Sequence, residues 1–235
     1  SLSGVYSVNT GNTVIKPMSN GLHSSRVVII NNGVRMEDQE WGAEHAPNID
    51  VNAVNKLTLI KGAGALQYSG DGIGGVIIAE TAKVPFKDSL YGTTQFGGAS
   101  NGKGTFMTTE LTKSYERGWY GTLQGSLKRF GDFETADYSL SNTGVNQGNA
   151  FLKVGFNSFD YGFEAFYSSF KNEIGILKAS HVGSAQDLFR AIESDRPLVI
   201  NEFTYDIIAP KQEVAHHLAR IKAYKRIGEL GKLSF

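Results

Sequence analysis

From Leu90 onward the chain is built of long segments whose side chains alternate in character with a period of two. In Trp119-Tyr-Gly-Thr-Leu-Gln-Gly-Ser-Leu-Lys-Arg129, one face carries Trp119, Gly121, Leu123, Gly125 and Leu127, and the other Tyr120, Thr122, Gln124, Ser126 and Lys128. Successive side chains of a β-strand point to opposite faces, so this is a strand that is apolar on one side only. The segments 104 to 116, 150 to 158, 160 to 170 and 213 to 227 behave alike; in the last, Ala215, Ala219, Ile221, Ala223 and Ile227 lie opposite Arg220, Lys222, Tyr224 and Arg226. Such strands must either face their apolar sides together in a sandwich or turn them outward to lipid.

The connections favour the second solution. Every second one is tight: Glu116-Arg117-Gly118, Phe159-Asp160 and Gly228-Glu229-Leu230-Gly231. Between them stand 99 to 103, which is short, 131 to 147, long and polar, and 171 to 212, very long. Outer-membrane barrels show this asymmetry, with short periplasmic turns and longer outward loops, and strands of roughly 9–11 residues suffice to cross. Tyr91, Tyr115, Trp119, Tyr120, Phe130, Phe159, Tyr161 and Phe170 fall near strand ends and fit interfacial girdles. A soluble sandwich also has one-sided strands and aromatics, and stands as the alternative. Within 171 to 212, Ser184-Ala-Gln-Asp187 is a capping box ahead of Leu188, Phe189, Ala191 and Ile192, with Pro197 beyond, so a short surface helix is expected. Ordinary connections are far shorter, which points to a functional or partner-contacting loop.

Composition agrees and removes other classes. With 28 Gly, 5 Pro, 14 Phe and 10 Tyr in 235 residues, turn formers and aromatics outweigh helical runs. The 23 basic residues balance the 23 acidic ones, so nothing suggests a nucleic-acid partner. Cysteine is absent, which excludes disulfides, thiolate metal sites and cysteine nucleophiles. No apolar run of about 20 residues exists, which excludes a membrane-spanning helix but not a barrel. The chain opens on Ser1 without a basic and apolar leader, and reads as processed or as a fragment.

Residues 1 to 84 have a different texture: short β-branched runs (Val27-Val28-Ile29-Ile30, Leu57-Thr58-Leu59-Ile60, Val76-Ile77-Ile78) among Gly, Asn and Ser, as in a small mixed α/β unit. Asn31-Asn32-Gly33 is a turn signal, and a helical turn capped by Asp50 is expected between Ile49 and Asn55. The stretch Gly70-Asp71-Gly72-Ile73-Gly74-Gly75 satisfies G-x-G-x-x-G. A dinucleotide site requires that motif to open a helix, whereas the β-branched Val76-Ile77-Ile78 that follows favours a strand. The competing reading is a set of turns feeding that strand.

The chain resembles a TonB-dependent outer-membrane receptor over nearly its whole length. The resemblance rests on an ordered series: Val27-Val-Ile-Ile-Asn-Asn-Gly-Val-Arg35, Ile49-Asp50, Val54-Asn-Lys-Leu-Thr-Leu-Ile-Lys-Gly62, Ala65-Leu-Gln-Tyr68 and Gly72-Ile-Gly-Gly-Val-Ile77. Gly21-Leu22-His23-Ser24, Trp41-Gly-Ala-Glu-His-Ala-Pro47 and the later Tyr205-Asp206 and Pro210-Lys-Gln-Glu-Val-Ala-His-His217 look like receptors of the Bacteroidetes lineage. Departures fall at Asn32, where the family has Asp, at Thr58, where it has an acid, at Ala63, where it has proline, and near Lys16-Pro17, which lacks an Arg-Gly pair. Those residues usually make plug-to-barrel ion pairs.

The resemblance implies a mainly β fold: a plug domain over 1–84, then the first six to seven antiparallel strands of a transmembrane β-barrel over 85–235, of 22 strands when complete. Six or seven strands cannot close, and an open edge in lipid leaves backbone groups unpaired, so a truncated barrel is expected. It implies location in the outer membrane and energised uptake of a scarce nutrient (a metal chelate, vitamin, haem or glycan) without a cofactor. TonB and its inner-membrane energising complex are the implied partners, through a segment absent here. A surface lipoprotein or larger outer-membrane complex is a further partner if the barrel instead serves as an adhesin or assembly subunit. Outward plug loops touch substrate in this family; the matching stretches are 19 to 24 and 39 to 47, with His23, Trp41, Glu44 and His45 as candidate substrate contacts. Gly62, Gly70, Gly72, Gly74 and Gly75 are candidate plug turns. His216 and His217, neighbours in a strand, face opposite ways and cannot chelate one ion together. Glu110, Asp132, Glu134, Asp137, Glu164 and Glu173 are scattered, and no catalytic constellation is evident.

Overall fold

A computed structural model describes residues 4–10, 14–37, 49–180 and 183–235. Its first unit begins with a hairpin of β1 (Val5–Thr10) and β2 (Val14–Ser19). A four-stranded sheet follows, made of β3 (Val27–Asn31), β4 (Val34–Arg35), β5 (Lys56–Ile60) and β6 (Gly75–Glu80) in the order β4-β3-β6-β5. The three β-branched runs are thus its principal strands. β3 and β6 pair in parallel and the other neighbours antiparallel. A parallel pair is ordinarily covered on both faces, and here the alternation of β3 and β6 separates two contacts. Val28 and Val76 pack with Ala65 on one side, while Ile29 and Ile77 turn to the other.

The second unit is one antiparallel sheet of seven strands. It comprises β7 (Ser89–Ala99), β8 (Gly104–Ser114), β9 (Trp119–Phe130), β12 (Val145–Asn157), β13 (Tyr161–Gly175), β14 (Lys211–Arg226) and β15 (Lys232–Ser234), neighbours in chain order. A small hairpin, β10 (Phe133–Glu134) and β11 (Ser139–Leu140), stands in the loop between β9 and β12. The helix foreseen in the long loop is α1 (Ala185–Glu193), with Ser184 Oγ accepting from Asp187 N at its start.

Register decides which face meets what. Leu111, Leu123 and Leu152 lie side by side across β8, β9 and β12, and all three are exposed. Phe96, Met107, Leu127 and Ile221 share that outward, exposed face. In a sandwich a second sheet covers such a face; in this chain the apolar face is the exposed one, as in a barrel wall against lipid. The inward alternates Thr112, Thr122, Gln124, Ser126 and Lys153 are buried. At the end marked by the tight turns, Trp119 packs on Phe156 (5.2 Å) and Phe163 (5.7 Å), and Phe156 on Tyr161 (5.4 Å), forming an outward aromatic girdle. Tyr120, Phe130 and Phe170, read from the sequence as girdle residues, instead face inward and are buried, because each sits one register position from the lipid-facing set.

The four-stranded sheet lies against the inward face. Ile29 and Met36 join Phe151, Phe166 and Leu218 of the wall in one apolar cluster, flanked by Ile49, Ala53 and Ile77.

Candidate functional site

The principal site is the polar seam between plug and wall. Asp50 caps the turn Val51–Ala53, its Oδ1 accepting from Asn52 N at 3.0 Å. Its Oδ2 reaches the wall, accepting from Ser126 Oγ at 2.7 Å and Gln124 Nε2 at 3.2 Å. Lys153, inward on β12, donates to Thr81 Oγ1 at 3.0 Å and to the Ala82 carbonyl at 2.7 Å. Arg220, inward on β14, donates through Nη1 to the carbonyl of Asn32. Its Nη2 meets Glu164 Oε1 at 2.5 Å, and Glu164 is also held by Lys222 Nζ (2.9 Å) and Tyr120 OH (2.6 Å).

In the contacts that cross from wall to plug, at Asp50, Thr81, Ala82 and Asn32, the wall donates and the plug accepts. At Thr81, Ala82 and Asn32 the plug acceptor is a hydroxyl or carbonyl, which carries no net charge that must be desolvated before docking, whereas Asp50 brings a carboxylate that the Ser126 and Gln124 donors compensate. Asn32 links the anchors: its Oδ1 accepts from Thr81 N at 3.0 Å, so the adjacent ends of β3 and β6 are tied to each other and to two wall cations. The contact from Arg220 to Asn32 is made to the backbone carbonyl, which leaves the side-chain amide for Thr81.

The glycine run serves the plug. Gly75 opens β6, which is a strand, so no helix N-terminus stands behind the G-x-G-x-x-G pattern to receive a phosphate. A Cβ on Gly74 would lie 2.8 Å from Arg26 O, and one on Gly75 2.8 Å from Ile60 O, with Gly75 at φ +123. Backbones approach too closely there for any other residue. Gly62 has φ +65 with open space around it, a Cβ on Gly72 would touch Val76, and Gly70 faces open space. Arg35 on β4 stitches the run from outside, donating to Ser69 Oγ and Asp71 Oδ2, both at 3.0 Å.

Of the four candidate substrate contacts, His23 is half-buried and bonds through Nδ1 to Ser24 Oγ at 2.9 Å. Trp41, Glu44 and His45 lie outside the described residues. His216 faces inward, whereas His217 faces out and bonds to Tyr167 OH at 2.9 Å. Among the described residues no group of three or more His, Cys, Asp or Glu is placed to hold a metal ion.

The outward loops form a second assembly. Asn142, buried and at φ +63, directs its Nδ2 at the carbonyls of Ile176, Ile208 and Pro210 (2.8–3.0 Å), and its Oδ1 accepts from Ile208 N. Ser141 Oγ accepts from Asn201 N at 2.6 Å, and Asp132 N donates to Thr204 O at 3.0 Å. Tyr205 OH donates to Lys103 O at 2.7 Å. The segment 200–210 is therefore strapped across two other loops. Beyond it, α1 leaves Leu188, Phe189 and Ile192 exposed.

Sequence reading missed Arg220, Lys153, Glu164, Tyr120 and Asn142 as working residues. For the first three a signal exists, since each is a charge at an inward position of a strand.

A small sheet docked by polar contacts against the inner face of an outward-apolar β-wall defines a plugged barrel, seen here as its plug and first strands. Residues 1–76 match the family model described as TonB-dependent Receptor Plug Domain. Among solved structures the chain is similar to the copper transporter OprC, with 18% identity, TM-score 0.71, and coverage of 98% of this chain and 32% of that one. It is also similar to the FrpB iron transporter from Neisseria meningitidis (F3-3 variant; 15%, TM-score 0.67, 98% and 35%). A third is a mutant ferric enterobactin receptor from Pseudomonas aeruginosa in complex with enterobactin (11%, TM-score 0.62, 97% and 36%). The chain thus spans about a third of the length of the structures it matches. No curated protein matches it. The first unit is a plug of the TonB-dependent receptor type, the fold is that of such a receptor's plug and leading barrel strands, and the chain is an outer-membrane one.

Proposed function

We propose that this chain belongs to a TonB-dependent receptor of the Bacteroidetes type that takes up a scarce nutrient across the outer membrane. The observation that carries the reading is the seam itself: a plug held by separable hydrogen bonds from Ser126, Gln124, Lys153 and Arg220 in a wall whose outer face is apolar. The plug comprises 1–84 and the barrel begins at 85. Substrate meets the outward plug loops at His23, Trp41, Glu44 and His45, with Gly62, Gly70, Gly72, Gly74 and Gly75 shaping the plug's turns. TonB, with its inner-membrane complex, acts on a segment preceding the plug. The substrate is a metal chelate, vitamin, haem or glycan. The likeness to a copper transporter, an iron transporter and a ferric enterobactin receptor puts a metal or its chelate first in the order of testing.

The full-length receptor, expressed in an outer membrane, should support growth on one limiting nutrient only when TonB is present. Equal growth with and without TonB on every nutrient tried would sink the proposal. A second reading, a surface adhesin or subunit of a larger outer-membrane assembly with a surface lipoprotein, is favoured by the exposed Leu188, Phe189 and Ile192. Under it, removing residues 183–198 abolishes partner binding and leaves uptake intact.

A further inference from the structure

The outer face of the wall changes character at its loop end. Register sets Leu127, Gly148, Lys171 and Ala215 in one row across β9, β12, β13 and β14, and Arg129, Asn146, Glu173 and Glu213 in the next row toward the loops. These rows flank an open groove of about 540 Å³, lined on the outer face by Asn146, Gly148, Lys171, Glu173, Glu213 and Ala215. Its floor is low over β12, where a Cβ on Gly148 would meet nothing nearer than Leu127 Cδ2 at 3.6 Å. Arg129 stands ten positions beyond Trp119 on β9, about 33 Å of strand. At a tilt of roughly 40° that is about 25 Å, the height of a barrel's apolar band, so the groove lies at the level of the outer headgroups.

Each part of the groove selects one part of a ligand. Arg129 and Lys171 rise from β9 and β13, about 10 Å apart on either side of β12, and both can reach a group seated over Gly148. Both are exposed, and neither is paired with a carboxylate among the described residues. Two such cations around a small uncharged hollow suit a phosphate. Glu173 and Glu213 oppose it only weakly, because Lys211 Nζ lies 2.8 Å from an oxygen of each. Their other oxygens and the Asn146 amide suit the hydroxyls of a sugar. Below Gly148 the wall carries Gly125, Ala150 and Ser169 side by side, bordered by Leu127 and Leu152, a furrow that accepts an acyl chain.

We infer that this rim is a binding site for a phosphorylated, acylated glycolipid of the outer leaflet. The phosphate sits between Arg129 and Lys171, the sugar hydroxyls lie against Asn146, Glu173 and Glu213, and an acyl chain runs down over Ala150 and Ser169. A soluble anion would leave the furrow empty, and a lipid without sugar would leave the acceptors unused. Arg129 also lies over the Tyr205 ring at 5.6 Å, so a bound headgroup steadies the strap 200–210 along with the wall. The inference rests on the outward apolar face of the wall and not on uptake.

Native mass spectrometry of the full-length receptor in detergent tests it, with four probes: diphosphorylated hexa-acyl lipid A, the same lipid without phosphates, phosphatidylglycerol and inorganic phosphate. The diphosphorylated lipid should bind at least about tenfold more tightly than its dephosphorylated form, since each basic side chain near an anionic headgroup contributes about fivefold. Arg129→Gln with Lys171→Gln should erase that difference, and Arg129→Lys with Lys171→Arg should keep most of it. Gly148→Leu, which fills the groove, should weaken both forms of the lipid. If G148L does not fold, the exposed pair R129Q/K171Q decides alone. Equal retention of phosphatidylglycerol and lipid A overturns the inference, as does an unchanged preference in R129Q/K171Q. Displacement of the lipid by millimolar inorganic phosphate marks a free-anion site and overturns it too.

Discussion

Replacing Arg220 with methionine keeps most of the side-chain volume and deletes the guanidinium. Two contacts go: the donation from Nη1 to the Asn32 carbonyl and the 2.5 Å pairing of Nη2 with Glu164. Removing one partner of a buried ion pair ordinarily costs about 3–5 kcal/mol, because the other charge is stranded. Glu164 is not stranded here, since Lys222 Nζ at 2.9 Å and Tyr120 OH at 2.6 Å still hold it. What remains is the loss of one charged hydrogen bond to a buried carbonyl, about 2 kcal/mol, or roughly a 30-fold rise in the local opening constant. Because Asn32 Oδ1 also accepts from Thr81 N, the loosening should reach the end of β6. Hydrogen exchange of the full-length receptor in lipid tests this. Peptides covering 27–35 and 75–82 should exchange roughly 30-fold faster in R220M, and those of β12 and β13 should not change. A change under threefold in 27–35, or an equal change in the wall strands, refutes the reasoning.

Leu123→Lys places a charge on the lipid face beside Leu111 and Leu152, and should cost about 2–4 kcal/mol near the bilayer midplane; urea-dependent folding into vesicles measures it, with Thr122→Ser on the inner face as a near-neutral control. Asn142→Gly retains the left-handed backbone at φ +63 while removing the clamp on Ile176, Ile208 and Pro210, so exchange over 200–210 should quicken at least tenfold, about 1.4 kcal/mol, while β12 is unaffected. Gly74→Ala, whose Cβ would meet Arg26 O at 2.8 Å, should destabilise the plug by about 1–3 kcal/mol, whereas Gly70→Ala, in open space, should fall within about 0.5 kcal/mol of neutral; amide exchange in β6 separates the two.

Alternation was readable in the sequence wherever one face meets lipid and the other the lumen. β8 and β9 therefore end within two residues of the segments read from the period of two. β12 begins at Val145, earlier than the sequence suggested, because Asn146-Gln147-Gly148-Asn149 is polar or small on both faces and carries no period. The long loop is shortened from both sides for the same reason: pairing continues to Gly175 and Lys211, beyond the apolar band. The hairpin of β10 and β11 left no pattern at two residues per strand. The aromatics divide by a single register step, which sends Trp119 to lipid and Tyr120 to Glu164.

The sequence by itself determined the class. Period-two faces, tight turns at every second connection and the ordered plug motifs are local or serial features, and each survives without knowing what touches what. The tertiary structure alone decided the working contacts. Arg220 reaches Asn32 across 188 positions, Lys153 reaches Ala82 across 71, and Asp50 reaches Ser126 across 76. An inward charge can be read from alternation, but its partner is fixed by strand register and by how the plug sheet seats on Phe151, Phe166 and Leu218. Hydrogen bonding demands separations within a few tenths of an ångström, and only the docked arrangement of both units supplies them.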